Sequence, residues 1–293
     1  MVLGGIRCDS EPSGCGRVIE GHNYQESWPW HAVITHEDGS QCSGSLINPG
    51  IVLTSYDCGS EAVKNITLGH VNMSDPSSDF QESRTVFLNY CNDNLTLITG
   101  VPDILPCLLY LSQAVNVTDS VYPICLATAD ITLRTGMESW VPSGSPSGGI
   151  EEVQVIGNNK CSIPGLKENE ICAGPIQSTG SDELLGACQD GSGAALVTLI
   201  NSTWTQIGIV KSGQSCPRHK NITSYVRVSS LFRNDIATTT TNSDFMFQIN
   251  DTSPDCAYPQ YCDSVFDSGV SMMTSSPFIL LCVLALSLYS TYW

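Results

Sequence analysis

The stretch Ala187-Cys-Gln-Asp-Gly-Ser-Gly-Ala-Ala-Leu-Val197 holds Ser192 between two glycines, four residues after a cysteine and four before a Leu-Val pair. A serine hydroxyl in such a loop acts as a nucleophile only when a general base activates it. Taken alone, the stretch is a weak functional signal, because most serines between glycines occupy ordinary turns. Its interpretation therefore depends on the motifs that precede and follow it.

Composition restricts both the architecture and the partners of this protein. The 293 residues suffice for one large domain or two small ones. The chain carries 12 basic and 29 acidic residues, which gives a formal net charge of −17. Because phosphate binding needs a basic face, we expect no nucleic-acid role and a partner that is basic or neutral.

The cysteines and the glycosylation sequons indicate the secretory pathway. Fourteen cysteines are typical of an oxidising compartment. With no C-x-x-C pair and no clustering of the five histidines, we expect no metal site. Seven N-x-[ST] sequons predict a glycosylated surface; they begin at Asn65, Asn72, Asn94, Asn116, Asn201, Asn221 and Asn250. Residues 1–7 lack the apolar run of a signal peptide, so none is visible in this sequence.

Several motifs, in a consistent order, resemble those of the trypsin-like serine proteases. The opening stretch is similar to the family's C-Q-G-D-S-G-G-P-L-V loop. Cys42-Ser-Gly-Ser-Leu-Ile and Ile51-Val-Leu-Thr-Ser-Tyr-Asp-Cys58 are similar to C-G-G-S-L-I and V-L-T-A-A-H-C. Arg17-Val-Ile-Glu-Gly resembles the activation site R-I-V-G-G, and Trp28-Pro-Trp resembles the start of the family's first strand.

This resemblance covers about residues 15–236 and implies an all-β fold. Two packed antiparallel six-stranded β-barrels with a cleft between them are expected, followed by a short C-terminal helix. We divide the chain into a leader (1–17), a trypsin-like domain (18–236), a Ser/Thr/Asn-rich stalk (237–276) and an apolar C-terminal tail (277–293).

The tail predicts attachment to a membrane. Its apolar run, 278–289, is shorter than the roughly 20 residues that a spanning helix needs, and no Lys or Arg follows it. A small acceptor at Ser268 or Gly269, a polar spacer and a short apolar tail form the signal for a glycosylphosphatidylinositol (GPI) anchor. A C-terminal transmembrane helix is the alternative.

The resemblance implies a catalytic triad of which only the nucleophile is kept. Ser192 occupies the nucleophile position, while Asp57 replaces the histidine that acts as general base. In an ungapped alignment Leu105 replaces the triad aspartate; a shifted register would place Asp103 there, and another alignment would place Asn94. A carboxylate, with an ordinary pKa of about 3.9, is a poor base for a serine hydroxyl.

The positions that in active relatives support the nucleophile are altered too. The oxyanion hole is formed by the backbone at Ser192 and at a glycine two residues earlier, which here is Asp190. The aspartate that pairs with the freed N-terminus is replaced by Gly191, although cleavage between Arg17 and Val18 would still create that terminus. Loss of one oxyanion donor costs roughly a hundred- to a thousandfold in rate.

The implied specificity pocket has lost the features that recognise a basic side chain. Its floor is Gly186, and Lys211-Ser212-Gly213 stands where the family has S-W-G. Gly186, Ser212 and Gly213 are the pocket residues implied by the resemblance, and we expect Lys211 to be solvated. No motif for an organic cofactor or calcium is present.

The resemblance also implies disulfide pairs. These are Cys42–Cys58, Cys161–Cys172 and Cys188–Cys216, with Cys125 bound to Cys15 or Cys8 in the leader. Cys91 and Cys107 are not assigned, and Cys256 and Cys262 are close enough to pair locally.

Together these observations predict a catalytically inactive, glycosylated trypsin-like homologue that is secreted or held at the cell surface and acts by binding. The expected partner is an extracellular protein, either a protease, an inhibitor or a receptor. One alternative is an active serine endopeptidase with a rearranged Ser192 site, using Asp57 or Asp103. Another is a gene product without a selected function.

Overall fold

Strands account for most of the chain that the structure, a computed structural model, describes. The described residues are 14–18, 28–69, 82–91, 106–128, 131–142, 150–161, 163–167, 169–175, 191–211, 222–231 and 248–249. Several residues with predicted roles lie outside this set: Leu105, Gly186, Asp190, Ser212, Gly213, Cys8, Cys188, Cys216, Cys256, Cys262, Asn72, Asn94, Asp103, Asn221, Asn250, Ser268 and Gly269.

The first sheet is entirely antiparallel. In the order β5-β4-β1-β2-β3-β7-β6, it contains β1 (His31–His36), β2 (Gln41–Asn48), β3 (Ile51–Ser55), β4 (Val63–Leu68), β5 (Glu82–Arg84), β6 (Val86–Cys91) and β7 (Pro106–Leu111). Only Thr85 separates β5 from β6, so the two form one interrupted strand. Because β5 pairs with β4 and β6 pairs with β7, this strand closes the sheet into a six-stranded barrel.

The second sheet closes in the same way. It contains β8 (Cys125–Ala127), β9 (Glu138–Pro142), β10 (Ile150–Ile156), β11 (Glu170–Pro175), β12 (Ala195–Ile200), β13 (Thr203–Val210), β14 (Thr223–Arg227) and β15 (Gln248–Ile249). The antiparallel strands β12-β9-β10-β11-β14-β13 form a ring, because β12 also pairs with β13. The predicted all-β fold with two six-stranded barrels is thereby confirmed.

Within the described part of the chain, two short helices flank these strands. Helix α1 (Tyr56–Ser60) directly follows β3, and helix α2 (Val228–Leu231) directly follows β14. In the part of the chain that the structure describes, no helix combines the length and apolar character needed to cross a bilayer.

One short strand comes from the segment predicted to be a stalk. Gln248 and Ile249 of β15 pair in parallel with Leu126 and Ala127 of β8. The polar composition of residues 237–276 concealed this pairing, although Phe245–Ile249 is a more apolar run within it. These two residues thus belong to the second sheet, and the division into domain and stalk stays a prediction.

The two barrels share a core of tryptophans. Trp28 and Trp30 precede β1 in an edge-to-face pair with ring centroids 5.3 Å apart. Trp204 of β13 lies 5.8 Å from both of them and 5.2 Å from Trp140 of β9. Such geometries add to the free energy gained by burying the rings. The cluster therefore packs the start of the first barrel against the second.

A buried hydrogen bond also crosses between the barrels. The Ser45 hydroxyl on β2 donates to Oε1 of Gln206 on β13 at 2.7 Å, and both residues are fully buried. The Gln206 amide in turn donates to the Gly208 carbonyl at 3.2 Å. Since an unpaired buried polar group is costly, this pair fixes the position of one barrel relative to the other.

Four disulfides lie within the described residues: Cys15–Cys125, Cys42–Cys58, Cys91–Cys107 and Cys161–Cys172. Of the two leader cysteines considered for Cys125, the structure pairs Cys15. The bridge between Cys91 and Cys107 joins residues directly opposite each other on β6 and β7. The strand register that brings these two together is not visible in the sequence.

Candidate functional site

The turn that carries Ser192 lies against the first barrel. The backbone N–H of Ser43 on β2 donates to the Ser192 carbonyl at 2.9 Å, and Cys58 Sγ lies 3.4 Å from the same oxygen. The Cys42–Cys58 bridge ties β2 to α1 at this place. The half-buried Ser192 is thus held beside the helix that carries the base position, as the resemblance implies.

Gly193 permits this close approach of the two barrels. Its φ is +82°, and a Cβ at this position would overlap the Ser43 carbonyl and the Thr54 hydroxyl. Its N–H donates to the Val210 carbonyl at 3.0 Å. The backbone conformation and the available space both require glycine. The presence of Gly193 in the loop therefore has a structural cause that is independent of catalysis.

Asp57, which replaces the general base, is an exposed residue in the first turn of α1. An acidic residue there is favoured by the unpaired N–H groups at a helix start. Ser55 precedes the helix without capping it, and its buried hydroxyl makes no hydrogen bond within the described residues. The local structure therefore accounts for Asp57 without a catalytic role.

Neither of the two described histidines offers a substitute base. His36 is 2% exposed, and its Nε2 donates to the Cys58 carbonyl at 3.0 Å. Its Nδ1 lies 3.0 Å from the Ser40 hydroxyl, so both ring nitrogens are engaged. The same Ser40 also forms hydrogen bonds with the side chain of Asp38, and these lower the pKa of the Asp38 carboxyl group below its ordinary value. His31 is 3% exposed and is likewise part of the barrel interior.

Gly191 cannot perform the task of the aspartate that it replaces. It is buried, and its carbonyl accepts a hydrogen bond from the Ala194 N–H at 2.9 Å. With no side chain, it presents no carboxylate to a new N-terminus at Val18. In the uncleaved chain, Val18 packs against the shared core, while the exposed Arg17 pairs with Asp119 at 3.2 Å.

Lys211, which the resemblance places in the wall of the implied pocket, forms an ion pair, which corrects the expectation that it is solvated. Lys211 Nζ lies 2.6 Å from Oε1 of Glu170, and their side chains are 16% and 3% exposed. The other Glu170 oxygen accepts the Lys167 N–H at 3.0 Å. Strands β11 and β13 both pair with β14. This places Glu170, the first residue of β11, near Lys211, which directly follows β13.

The sequence did not identify Glu170 as the partner of Lys211 or Asp119 as the partner of Arg17, because each acidic residue lies far along the chain from its cation.

The sequence also did not show that the Cys91–Cys107 bridge packs against α1. A Cβ at Gly59 of that helix would overlap Cys107. The equal separations of 16 residues in Cys42–Cys58 and Cys91–Cys107 are the available sequence signal.

Three of the sequons lie on described residues. Asn116 and Asn201 are exposed, the latter on the turn between β12 and β13, where Asn201 and Ser202 have φ of 49° and 60°. The Asn65 amide donates to the Ser83 hydroxyl at 3.0 Å. Within the described residues, no group of three or more His, Cys, Asp or Glu side chains could hold a metal ion.

Comparison with known proteins adds two findings. The family model described as Trypsin matches residues 18–261, which extends beyond the end of the predicted domain at residue 236. A tryptase from Mus musculus is 29% identical over 238 residues, covering 69% of this chain and 81% of the relative.

A Gly193→Ala substitution tests the contact between the barrels. We expect a loss of about 2–4 kcal/mol in the free energy of unfolding, because strain at positive φ adds to overlap with the first barrel. Gly39→Ala is the matched control, since Gly39 has φ of +87° and nothing within 4 Å of an added Cβ. Urea denaturation of both variants measures the difference. Equal losses would contradict a role for Gly193 in joining the barrels.

Removing one partner of the buried ion pair should lower the free energy of unfolding more than removing both partners. Lys211→Met leaves the Glu170 carboxylate buried without its cation, and we expect a loss of about 3–5 kcal/mol. The double variant with Glu170→Gln should recover most of that loss, because no uncompensated charge remains. Chemical denaturation of the single and double variants gives the coupling energy. Additive losses would show that the two side chains do not interact.

Proposed function

The chain belongs to the trypsin family, and we propose that it is a catalytically inactive member that acts outside the cell by binding another protein. The fold, with its two joined barrels, is kept. Of the residues that would perform acyl transfer, Ser192 is kept, but the general base is replaced by Asp57. A rigid surface of this kind can hold a partner without cleaving it.

The observation that carries this proposal is the exposed Asp57 at the position of the general base. Acyl transfer needs a group that takes the proton of Ser192 and returns it to the leaving amine, which an imidazole does and an exposed carboxylate does not. His31 and His36, the described histidines, are buried within the first barrel. Loss of the histidine from a comparable triad costs on the order of a millionfold in rate.

Two further features support inactivity. Gly191 has no carboxylate to hold a freed N-terminus, so cleavage after Arg17 would not order the loop as it does in active relatives. Asp190 would bring a negative charge close to a developing oxyanion, which opposes its stabilisation. The substitutions at Asp57, Gly191 and Asp190 therefore impair the general base, the ordering of the loop after cleavage and the stabilisation of the oxyanion.

The disulfide-rich trypsin-like fold is that of a secreted or extracellular protein. We propose further that it is glycosylated, with Asn116 and Asn201 as the most accessible described sequons, and held at the cell surface by a GPI anchor at Ser268 or Gly269. The partner is an extracellular protease, inhibitor or receptor. With a net charge of −17, the protein favours a basic or neutral partner.

Labelling with a fluorophosphonate probe tests inactivity, because the probe reacts with an activated serine whatever the substrate. Both the single-chain protein and a form cut directly before Val18 are treated, beside Ser192→Ala variants and active trypsin. We expect labelling at no more than about one-thousandth of the rate of trypsin, with no difference on substituting Ser192. Labelling of the cut form that disappears in its Ser192→Ala control would instead support an active serine endopeptidase with a rearranged site.

Phospholipase treatment tests the anchor. A phospholipase C specific for phosphatidylinositol should release most of the protein from intact cells, because it cleaves the lipid from a GPI-anchored chain. A variant ending at residue 276 lacks the apolar tail and should appear in the medium without the enzyme. Retention on phospholipase-treated cells, together with extraction only by detergent, would favour a transmembrane helix.

A further inference from the structure

The leader residues just before the Arg17–Val18 bond are fixed to the folded domain. Cys15 has no exposed surface and is bonded to Cys125, the first residue of β8. Only Gly16 separates this bridge from Arg17. The residues that a protease would have to draw into its own cleft are therefore attached covalently to the second barrel.

Gly16 is held on both sides by backbone hydrogen bonds. Its N–H donates to the Pro123 carbonyl at 2.8 Å, and its carbonyl accepts from the Trp204 N–H at 2.8 Å. It is buried, and a Cβ at this position would overlap the Trp204 carbonyl. Its φ of +62° lies in the left-handed region, which is not the extended conformation of a bound peptide.

Arg17 itself is half exposed, and its guanidinium lies 3.2 Å from the Asp119 carboxylate. An exposed pair of this kind contributes little to stability. The bridge at Cys15 and the two bonds of Gly16 are therefore the main restraints, and the ion pair is a minor one.

We propose that these restraints protect the Arg17–Val18 bond from trypsin-like proteases, so that the folded protein persists as a single chain. Cleavage would add water across this bond to leave an Arg17 carboxylate and a Val18 amine. A protease needs residues 15–17 in an extended, accessible form, which requires local opening of the leader. This proposal does not depend on whether Ser192 is active.

The test is limited proteolysis of the full-length protein by catalytic amounts of trypsin. Appearance of the Val18 N-terminus is followed by N-terminal labelling and mass spectrometry after reduction, because the bridge retains the leader. The matched variant carries a flexible Gly/Ser insert between Gly16 and Arg17, which leaves the bridge intact but removes the restraint on Arg17. We expect the native chain to be cut on the order of a hundredfold more slowly than this variant.

Two controls isolate the cause of protection. The denatured, reduced protein should be cut after Arg17 as fast as the insert variant, because the local sequence is then unrestrained. Asp119→Asn should change the native rate less than about threefold, as expected for a minor ion pair. Cutting of the native protein within a fewfold of the insert variant would overturn the proposal, and so would equally slow cutting of the denatured chain.

Discussion

The structure depends on the close approach of two closed barrels, and at Gly193 that approach leaves no room for a side chain. Here the turn after the nucleophile position presses on β2 and β3 of the first barrel, where a side chain would overlap the Ser43 carbonyl. The backbone bond from Ser43 to Ser192 lies at the same place. Around it, the tryptophan rings pack together and the buried Ser45–Gln206 hydrogen bond crosses from one barrel to the other. Replacing any of these would change how one barrel sits on the other.

The contacts of this junction are separate from the position of the general base. The contacts that join the barrels use backbone groups, a glycine and buried apolar rings. Asp57 is exposed on α1, so exchange of the residue at that position leaves the junction unchanged. The fold therefore constrains Gly193 strongly and leaves the residue at position 57 free to change.

Several buried polar side chains join elements that are distant along the chain. Lys211 neutralises the buried carboxylate of Glu170, and His36 connects β1 to the Cys58 carbonyl of α1. The leader is bonded to β8 through Cys15, and β8 lies between β13 and β15 in the second sheet. Each of these contacts holds together elements that come from distant parts of the chain. A binding surface benefits from such rigidity, because less conformational freedom is lost when a partner binds.

Much of this was available in the amino-acid sequence, because it rests on local patterns. The order of the motifs predicts both barrels, and Asp57 and Gly191 predict the loss of catalysis, since the histidine and the aspartate that they replace each have a defined chemical task. The choice of Cys15 over Cys8, the bridge from Cys91 to Cys107, and the pairing of Lys211 with Glu170 depend on which strands become neighbours. Strand register and barrel closure decide these contacts, and they arise from the burial of the whole core. Only the tertiary structure could therefore bring these residues together.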